Sequence, residues 1–363
     1  MAGTEEKAEE ALRRLAPLWT WLRDGPPSST PACLEAELDR LPDLPDGPAL
    51  EALDLALGER LAQWECRPPD LAALGLLLAQ AGAALAAARA LGEPERRVAA
   101  TVTAARALHD WYLSRGEDAD LDLLIRLVER AGALPSAPPR RAALCVARAL
   151  ALRERYLKHG DGGDLDTGVH LLREAVALAA TGPVGARARL ALGRTLRDRY
   201  LADDDLPALE ESIRLLEEVA HAPLPDAERA ECLSDLGLSL YVRYMEGGDR
   251  ADLDRVLALH RRALLLLPAG LMRPRYLNNL GIALDYRYLQ QGDPADLDER
   301  VQVQEQAYAL SPGRPDRRNY ASNLGNALYH RYLLRGDPAD LERRIRLQEE
   351  AVLLTPGGPA SPG

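Results

Sequence analysis

Asparagine and tyrosine side chains concentrate in one part of this 363-residue chain. All five asparagines lie on predicted helices between residues 278 and 326, although asparagine is a mediocre helix former. An amide can both donate to and accept from a peptide backbone, and tyrosine offers rigid contact area. We therefore predict a surface that binds a peptide or protein segment. Its candidate residues are Tyr241, Asn278, Asn279, Asp285, Tyr286, Asn319, Asn323, Asn326, Tyr329 and His330.

Two charged columns offer a different kind of binding. Five arginines each precede a tyrosine, and five aspartates recur near the starts of the following helices. They are Arg155, Arg199, Arg243, Arg287 and Arg331, with Asp120, Asp164, Asp252, Asp296 and Asp340. The arginines could track an extended polyanion, or they could form ion pairs with the aspartates of their own units. We favour ion pairs and do not expect nucleic acid as a partner, because the formal net charge is −11.

The sequence contains no recognisable catalytic, metal or cofactor signature. Cys33, Cys66, Cys145 and Cys232 form no C-x-x-C pair and are predicted to be buried thiols. The two lysines, Lys7 and Lys158, do not lie in a phosphate-binding loop. The segment "GDGGDLD" at residues 160–166 resembles a cation loop, but it shares the register of "GDPADLD" and is predicted to cap a helix. We expect no enzyme activity, no metal and no cofactor; a catalytic pocket is the least favoured alternative.

One helix pair is repeated every 44 residues. The markers of this period are Tyr112, Tyr156, Tyr200, Tyr244, Tyr288 and Tyr332, with small residues at Ala105, Ala149, Gly193, Gly237, Gly281 and Gly325. Apolar residues recur at helical spacing from Arg275 to Gln291, and Gly292 marks the end of that helix. Asp293 offers an N-cap oxygen to a second helix, which we expect to end near Leu310.

The pair Leu280-Gly281 with Leu284, followed by Ala307 and Pro312, resembles the tetratricopeptide repeat. The longer unit, "NLGxAL…RYL…GDPADL", is most similar to repeat arrays that precede caspase-like CHAT protease domains in bacterial proteins. The resemblance implies an all-α fold: a right-handed superhelical solenoid of antiparallel helix pairs. It also implies that the first helix of each pair lines a concave groove, which the candidate binding residues would face. Recent duplication of the last two units is the alternative explanation for their shared asparagines and tyrosines.

Four segments are expected along the chain. Residues 1–47 form an acidic helix and a Pro- and Ser-rich linker, a possible cap, and residues 48–92 form a degenerate repeat. Residues 93–356 form six regular repeats, and residues 357–363 form a flexible tail. The N-terminus is acidic where a signal peptide would be basic, and the uncharged run at residues 71–88 is dominated by alanine. We therefore expect a cytoplasmic protein without a membrane span.

The sequence supports two binding roles. The first is a scaffold or adaptor that holds a peptide or protein segment in the groove of its C-terminal repeats. The second is a regulatory or sensor subunit of a caspase-like or other effector, which docks through an uncovered apolar face on the last repeat. We call this the end face, and it comprises Leu341, Ile345 and Val352. Alternatively, a second copy of the chain or the N-terminal segment would cover it.

Overall fold

The computed structural model describes residues 94–354, apart from 117, 268, 271 and 313–315. Within these residues the chain forms twelve α-helices and no β-strand, which confirms the predicted all-α class. The helices are α1 (Pro94–Arg115), α2 (Asp118–Gly132), α3 (Pro138–His159), α4 (Gly162–Leu178), α5 (Gly182–Asp203), α6 (Leu206–Ala220), α7 (Asp226–Gly247), α8 (Arg250–Leu266), α9 (Arg273–Gln291), α10 (Pro294–Ala309), α11 (Arg317–Arg335) and α12 (Pro338–Leu353).

The described residues divide into two compact units, with the boundary between residues 211 and 212. In the first unit α1 pairs with α2 and α3 pairs with α4, while α3 also contacts α1 and α5. In the second unit the pairs are α7 with α8, α9 with α10 and α11 with α12, and α9 contacts both α7 and α11. We refer to the odd-numbered helices as first helices and to the even-numbered helices as second helices.

The turn between the two helices of a pair is built from the predicted residues. Gly292 adopts a left-handed φ of 69°, and its N–H donates to the carbonyl oxygen of Tyr288 at 2.7 Å, which ends α9. The carboxylate of Asp293 accepts from the N–H of Ala295 at 2.9 Å and caps α10. Pro294 occupies the first turn of α10, where its missing N–H costs no hydrogen bond. The predicted helix stop and cap are therefore confirmed.

The same turn recurs with the period of the sequence. The left-handed residues that follow the first helices are Gly116, Gly160, Asp204, Gly248, Gly292 and Gly336. Asp204, with a φ of 56°, is the one described residue other than glycine that has a positive φ. Asp161 accepts from the N–H of Gly163 at 3.0 Å, so the "GDGGDLD" segment caps α4 as predicted. Asp249 and Asp337 cap α8 and α12 in the same way.

Small residues on the first helices allow the two helices of a pair to approach closely. A Cβ added to Gly281 would lie 2.3 Å from Nε2 of Gln304 on α10. At Gly237 it would lie 2.8 Å from Cε1 of His260 on α8. A larger side chain at either position would therefore force the facing side chain to move. The small residues that mark the repeat therefore serve helix packing.

The tyrosines that mark the repeat are also largely buried. Their most buried members, Tyr112, Tyr200 and Tyr244, are between 4% and 7% exposed, and the other three are half-buried. Cys145 and Cys232 are buried free thiols, as predicted, and burial raises the pKa of the Cys145 thiol. No described helix is both long and apolar enough to cross a bilayer. The predictions for residues 1–92 and 357–363, including Cys33 and Cys66, lie outside the described residues.

Candidate functional site

Side chains on neighbouring first helices of the second unit meet in rungs. Each rung joins a residue to one 45 positions further along the chain, which is one repeat period plus one residue. Nδ2 of Asn323 on α11 donates to Oδ1 of Asn278 on α9 at 2.8 Å, and both residues are half-buried. Nδ2 of Asn279 donates to Oγ of Ser234 on α7 at 3.3 Å. Asn279 is only 8% exposed, so the prediction that it faces an open groove is wrong: its amide satisfies a buried hydroxyl instead.

Two tyrosines form an aromatic rung between α7 and α9. The rings of Tyr241 and Tyr286 lie edge to face, with centroids 5.2 Å apart and planes at 69°. This is a favoured geometry for aromatic pairs. Burial and a hydrogen bond with Tyr286 raise the pKa of Tyr241, so its hydroxyl stays protonated at neutral pH. Both tyrosines are half-buried.

A charged cluster forms the rung between α9 and α11. Nδ1 of His330 lies 3.3 Å from Oδ1 of Asp285, and the guanidinium of Arg300 contacts the same carboxylate. Nη1 of Arg300 also lies 2.8 Å from Nδ1 of His330. Arg300 is 4% exposed, and burial lowers its pKa while the charge of Asp285 acts in the opposite direction. Asp285 is thus held by a buried cation rather than left open for a ligand.

Arginines from the second helices support this surface, and the sequence analysis missed them. The guanidinium of Arg344 on α12 lies 3.8 Å from the ring centroid of Tyr329, a cation–π contact. Arg300 on α10 stands one period earlier in the same register and reaches Asp285. The other units place smaller or apolar residues at this position: Leu124, Gly168, Ser212 and Val256. That change to arginine in two successive units was the signal that could have identified both residues.

The remaining predicted residues lie on α11. Asn319 and Asn326 both lie on its solvent-facing side, and Tyr329 and His330 are half-buried beside them. His330 also packs near Tyr288, with ring centroids 6.2 Å apart. We call the accessible polar and aromatic part of this surface the binding face. It consists of Asn278, Tyr286, Asn319, Asn323, Asn326 and Tyr329.

The arginine column forms ion pairs rather than a row of free cations. Nε of Arg243 donates to Asp252 at 2.8 Å, and Nη2 donates to the second oxygen of the same carboxylate at 2.8 Å. Arg155, Arg287 and Arg331 bind Asp164, Asp296 and Asp340 in the same bidentate way. Arg199 has no aspartate in that register and instead lies 2.8 Å from Asp166 and 3.5 Å from Asp205. The favoured prediction of ion pairs within units is confirmed.

Charged residues on α3 and α5 of the first unit also form a local ion-pair network. Nε of Arg153 on α3 donates to Asp198 on α5 at 2.5 Å, and its Nη1 lies 3.0 Å from Glu154. Arg197 lies 3.2 Å from the same Asp198. Burial acts to raise the pKa of Asp198, but the charges of Arg153 and Arg197 outweigh it and lower the pKa below its usual value. These charged groups are therefore paired with one another.

The end face is exposed in the structure. Ile345 is 51% exposed and Val352 is 54% exposed, whereas Leu341 is half-buried. The adjacent Leu353 and Leu354 are 50% and 45% exposed, so the apolar surface continues past Val352.

Among the described residues, no group of three or more His, Cys, Asp or Glu side chains is arranged to hold a metal ion.

Comparison with known proteins defines the fold. No family model matches the chain. A search of curated proteins also found no match. An IFIT1 monomeric mutant solved with Gppp-AAAA superposes with a TM-score of 0.54 at 15% identity, covering 85% of this chain and 66% of that one. A human IFIT1 dimer with m7Gppp-AAAA gives 0.51 at 16% identity, covering 83% and 64%. MamA gives 0.36 at 15% identity, covering 54% and 92%.

The fold is a tetratricopeptide-like helical-repeat solenoid. The fold predicted from the repeat pattern is therefore confirmed. In this tetratricopeptide-like fold, the binding face belongs to the first helices of the second unit, which is where the resemblance implied a ligand surface. The likeness to CHAT-associated arrays stays a prediction.

Proposed function

We propose that the protein is a non-catalytic scaffold or adaptor that binds a peptide or protein segment on the binding face. The observation that carries this proposal is the asparagine rung. The contact between Asn323 and Asn278 uses one amide hydrogen of Asn323 and one lone pair of the Asn278 oxygen. The amide hydrogens of Asn278 and the side-chain oxygen of Asn323 are left to bind a partner. An extended backbone offers matching N–H and C=O groups.

Preorganisation supports the same proposal. The edge-to-face contact orients Tyr286, and the cation–π contact with Arg344 orients Tyr329. A side chain that is already ordered loses little conformational entropy when a ligand binds, so more of the contact energy becomes affinity. The exposed amides of Asn319 and Asn326 extend the polar surface along α11. The face therefore combines rigid aromatic anchors with adaptable hydrogen-bonding groups.

A protein or peptide fits this face better than nucleic acid does. Two described arginines at this surface are already engaged, because Arg300 contacts Asp285 and Arg344 stacks on Tyr329. A nucleic-acid site would need free cations to replace the counterions of the phosphates. The IFIT1 structures hold m7Gppp-AAAA or a related oligonucleotide, so RNA is the alternative ligand that an experiment should include.

The experiment is a selection of displayed random peptides on the full-length protein, followed by affinity measurement with two double variants. Asn323→Ala/Tyr329→Ala removes the proposed contacts, and the matched control Gln302→Ala/Gln306→Ala changes two exposed residues of α10. We expect the selected peptides to bind the first variant at least about 10-fold more weakly, equivalent to about 1.4 kcal/mol. The control should retain wild-type affinity.

Three results would contradict the proposal. Selected peptides that bind the Asn323→Ala/Tyr329→Ala variant as tightly as the wild type would place their site elsewhere. Binding of a fluorescent oligoadenylate that depends on Asn323 and Tyr329, with no selected peptide doing so, would make the face a nucleic-acid site. Finally, the purified protein could turn over a substrate. If the Asn323→Ala/Tyr329→Ala variant lost that activity, the enzyme alternative would be favoured.

A second candidate role is docking of an effector through the end face. The observation that favours it is the exposure of Ile345 and Val352, each more than half exposed on α12. Exposed contiguous apolar surface on a soluble protein is typical of an interaction site. An Ile345→Asp variant that loses a bound partner while retaining peptide binding would separate this role from binding on the first helices.

A further inference from the structure

We propose that the end face binds a helix pair from another polypeptide, which continues the repeat stack and places a cation opposite Glu349. The inference rests on the second candidate role and specifies the chemistry of the partner. It does not depend on the binding face, so the two proposals can fail separately.

The end face is the sixth occurrence of a surface that is covered in five earlier units. Ile345 is 51% exposed, yet every residue at the same register in the preceding second helices is at most 7% exposed. These residues are Ile125, Val169, Ile213, Leu257 and Val301. The register of Leu341 behaves similarly, because Leu297 one period earlier is 1% exposed whereas Leu341 is half-buried. The side chains keep their apolar character on α12 although the described residues leave them uncovered.

The neighbouring unit reveals what such a surface accepts. Val301 on α10 packs in one apolar cluster with Ala321, Leu324 and Leu328 of the next first helix, α11. The occupant of the register is therefore a helix that presents alanine and leucine at spacings of three and four residues. By continuity, the end face should accept a helix with the same apolar stripe.

Ion pairs between successive second helices define the charge of the partner. In four consecutive interfaces a charged residue pairs with an opposite charge 38 positions further along the chain. The pairs are Arg173 with Glu211, Glu217 with Arg255, Arg261 with Glu299 and Glu305 with Arg343. Glu349 is the next member of this series, and it is exposed without an ion-pair partner among the described residues. The series therefore predicts a cation on the second helix of the incoming pair.

A second copy of the described units does not supply this helix pair. The stripe that includes Leu328 is buried on every first helix of the described chain, with no member more than 4% exposed. Its members are Leu108, Leu152, Leu196, Leu240, Leu284 and Leu328. Exposing one of them would require a helix pair to leave its own stack. A helix pair from another polypeptide avoids that cost.

The test uses the full-length protein and a labelled synthetic helix pair with the sequence Asp316–Leu354, which contains both the apolar stripe and Arg343. The peptide need not be folded alone, because a segment can fold as it binds. We expect saturable binding in fluorescence anisotropy, weakened at least about 10-fold by Ile345→Asp, which would bury an unpaired carboxylate. The matched control is Leu289→Asp, at a side chain that is 62% exposed away from the end face. It should bind as the wild type does.

The charge prediction is tested by a reciprocal exchange. Glu349→Arg should weaken binding about 2- to 5-fold, as expected for an exposed ion pair, and a peptide carrying Arg343→Glu should restore it. Absence of peptide binding, or binding that is indifferent to Ile345→Asp, would overturn the proposal. Self-association of the chain that Ile345→Asp abolishes in sedimentation analysis would assign the face to a second copy and would also overturn it.

Discussion

A buried histidine makes the stability of the second unit dependent on pH. His260 on α8 is 1% exposed, its ring lies against Gly237, and its Nδ1 has no hydrogen-bond partner. Burial lowers its pKa from 6.5 to about 4, although the charge of Asp235 acts in the opposite direction. The next two units place Gln304 and Gln348 at the same register. His260→Gln is therefore the substitution that the neighbouring units already accommodate.

The magnitude follows from the difference in proton binding. Between pH 6.5 and pH 4 the unfolded chain binds a proton at His260 more readily than the folded chain does. The contribution of His260 to the free energy of unfolding is therefore at its maximum above pH 6.5 and decreases as the pH falls. With these two pKa values, lowering the pH from 7.5 to 5.0 costs about 2 kcal/mol through this residue alone.

Urea unfolding of wild type and His260→Gln at both pH values isolates the effect, because the carboxylates of the protein titrate in both chains. We expect the wild type to lose about 2 kcal/mol more than the variant between pH 7.5 and pH 5.0. His221→Gln, at an exposed histidine, is the matched control and should follow the wild type. Equal losses in wild type and His260→Gln would refute the assignment of a buried, neutral imidazole.

Three further substitutions test the repeat architecture by thermal or denaturant unfolding. Asp204→Gly should raise the free energy of unfolding by about 0.5–1 kcal/mol, because Asp204 holds a left-handed φ of 56° that glycine adopts freely. A lower stability would contradict this. Gly281→Ala should cost about 1–3 kcal/mol, since its Cβ would meet Gln304, and adding Gln304→Ala should recover part of the loss. Arg331→Ala should cost about 1–3 kcal/mol by leaving the carboxylate of Asp340 without its bidentate partner. Arg331 lowers the pKa of Asp340, so that penalty should shrink as the pH falls toward 3; a penalty independent of pH would argue against the ion pair.

The arrangement of the proposed binding surface was predicted only in part from the sequence. The clustering of asparagine and tyrosine pointed to neighbouring first helices, because the repeat register places equivalent residues on equivalent faces. Asn279 was misplaced, since one position of helix rotation turns a side chain from the surface into the packing against Ser234. Asp285 was predicted to be available, but Arg300 reaches it from the second helix. Periodicity within first helices contains no information about that approach.

The amino-acid sequence by itself determined the helix pairs, because the interactions that end one helix and cap the next are local. A glycine that adopts a left-handed φ ends each of five first helices, and in four units an aspartate caps the second helix. These interactions join residues no more than four positions apart, so they need no tertiary partner. The ion pair between Arg243 and Asp252 could be predicted from the sequence for a related reason, because a single turn connects the two helices on which they lie.

Only the tertiary structure decided which side chains are free. The rungs, the burial of Arg300 and the contact of Arg344 with Tyr329 all depend on how helices from different parts of the chain cross. The exposure of Ile345 was decided in the same way, because its residue type matches five buried equivalents. Solvent exposure depends on what packs above a residue, and for this register that neighbour lies on the first helix of the next unit.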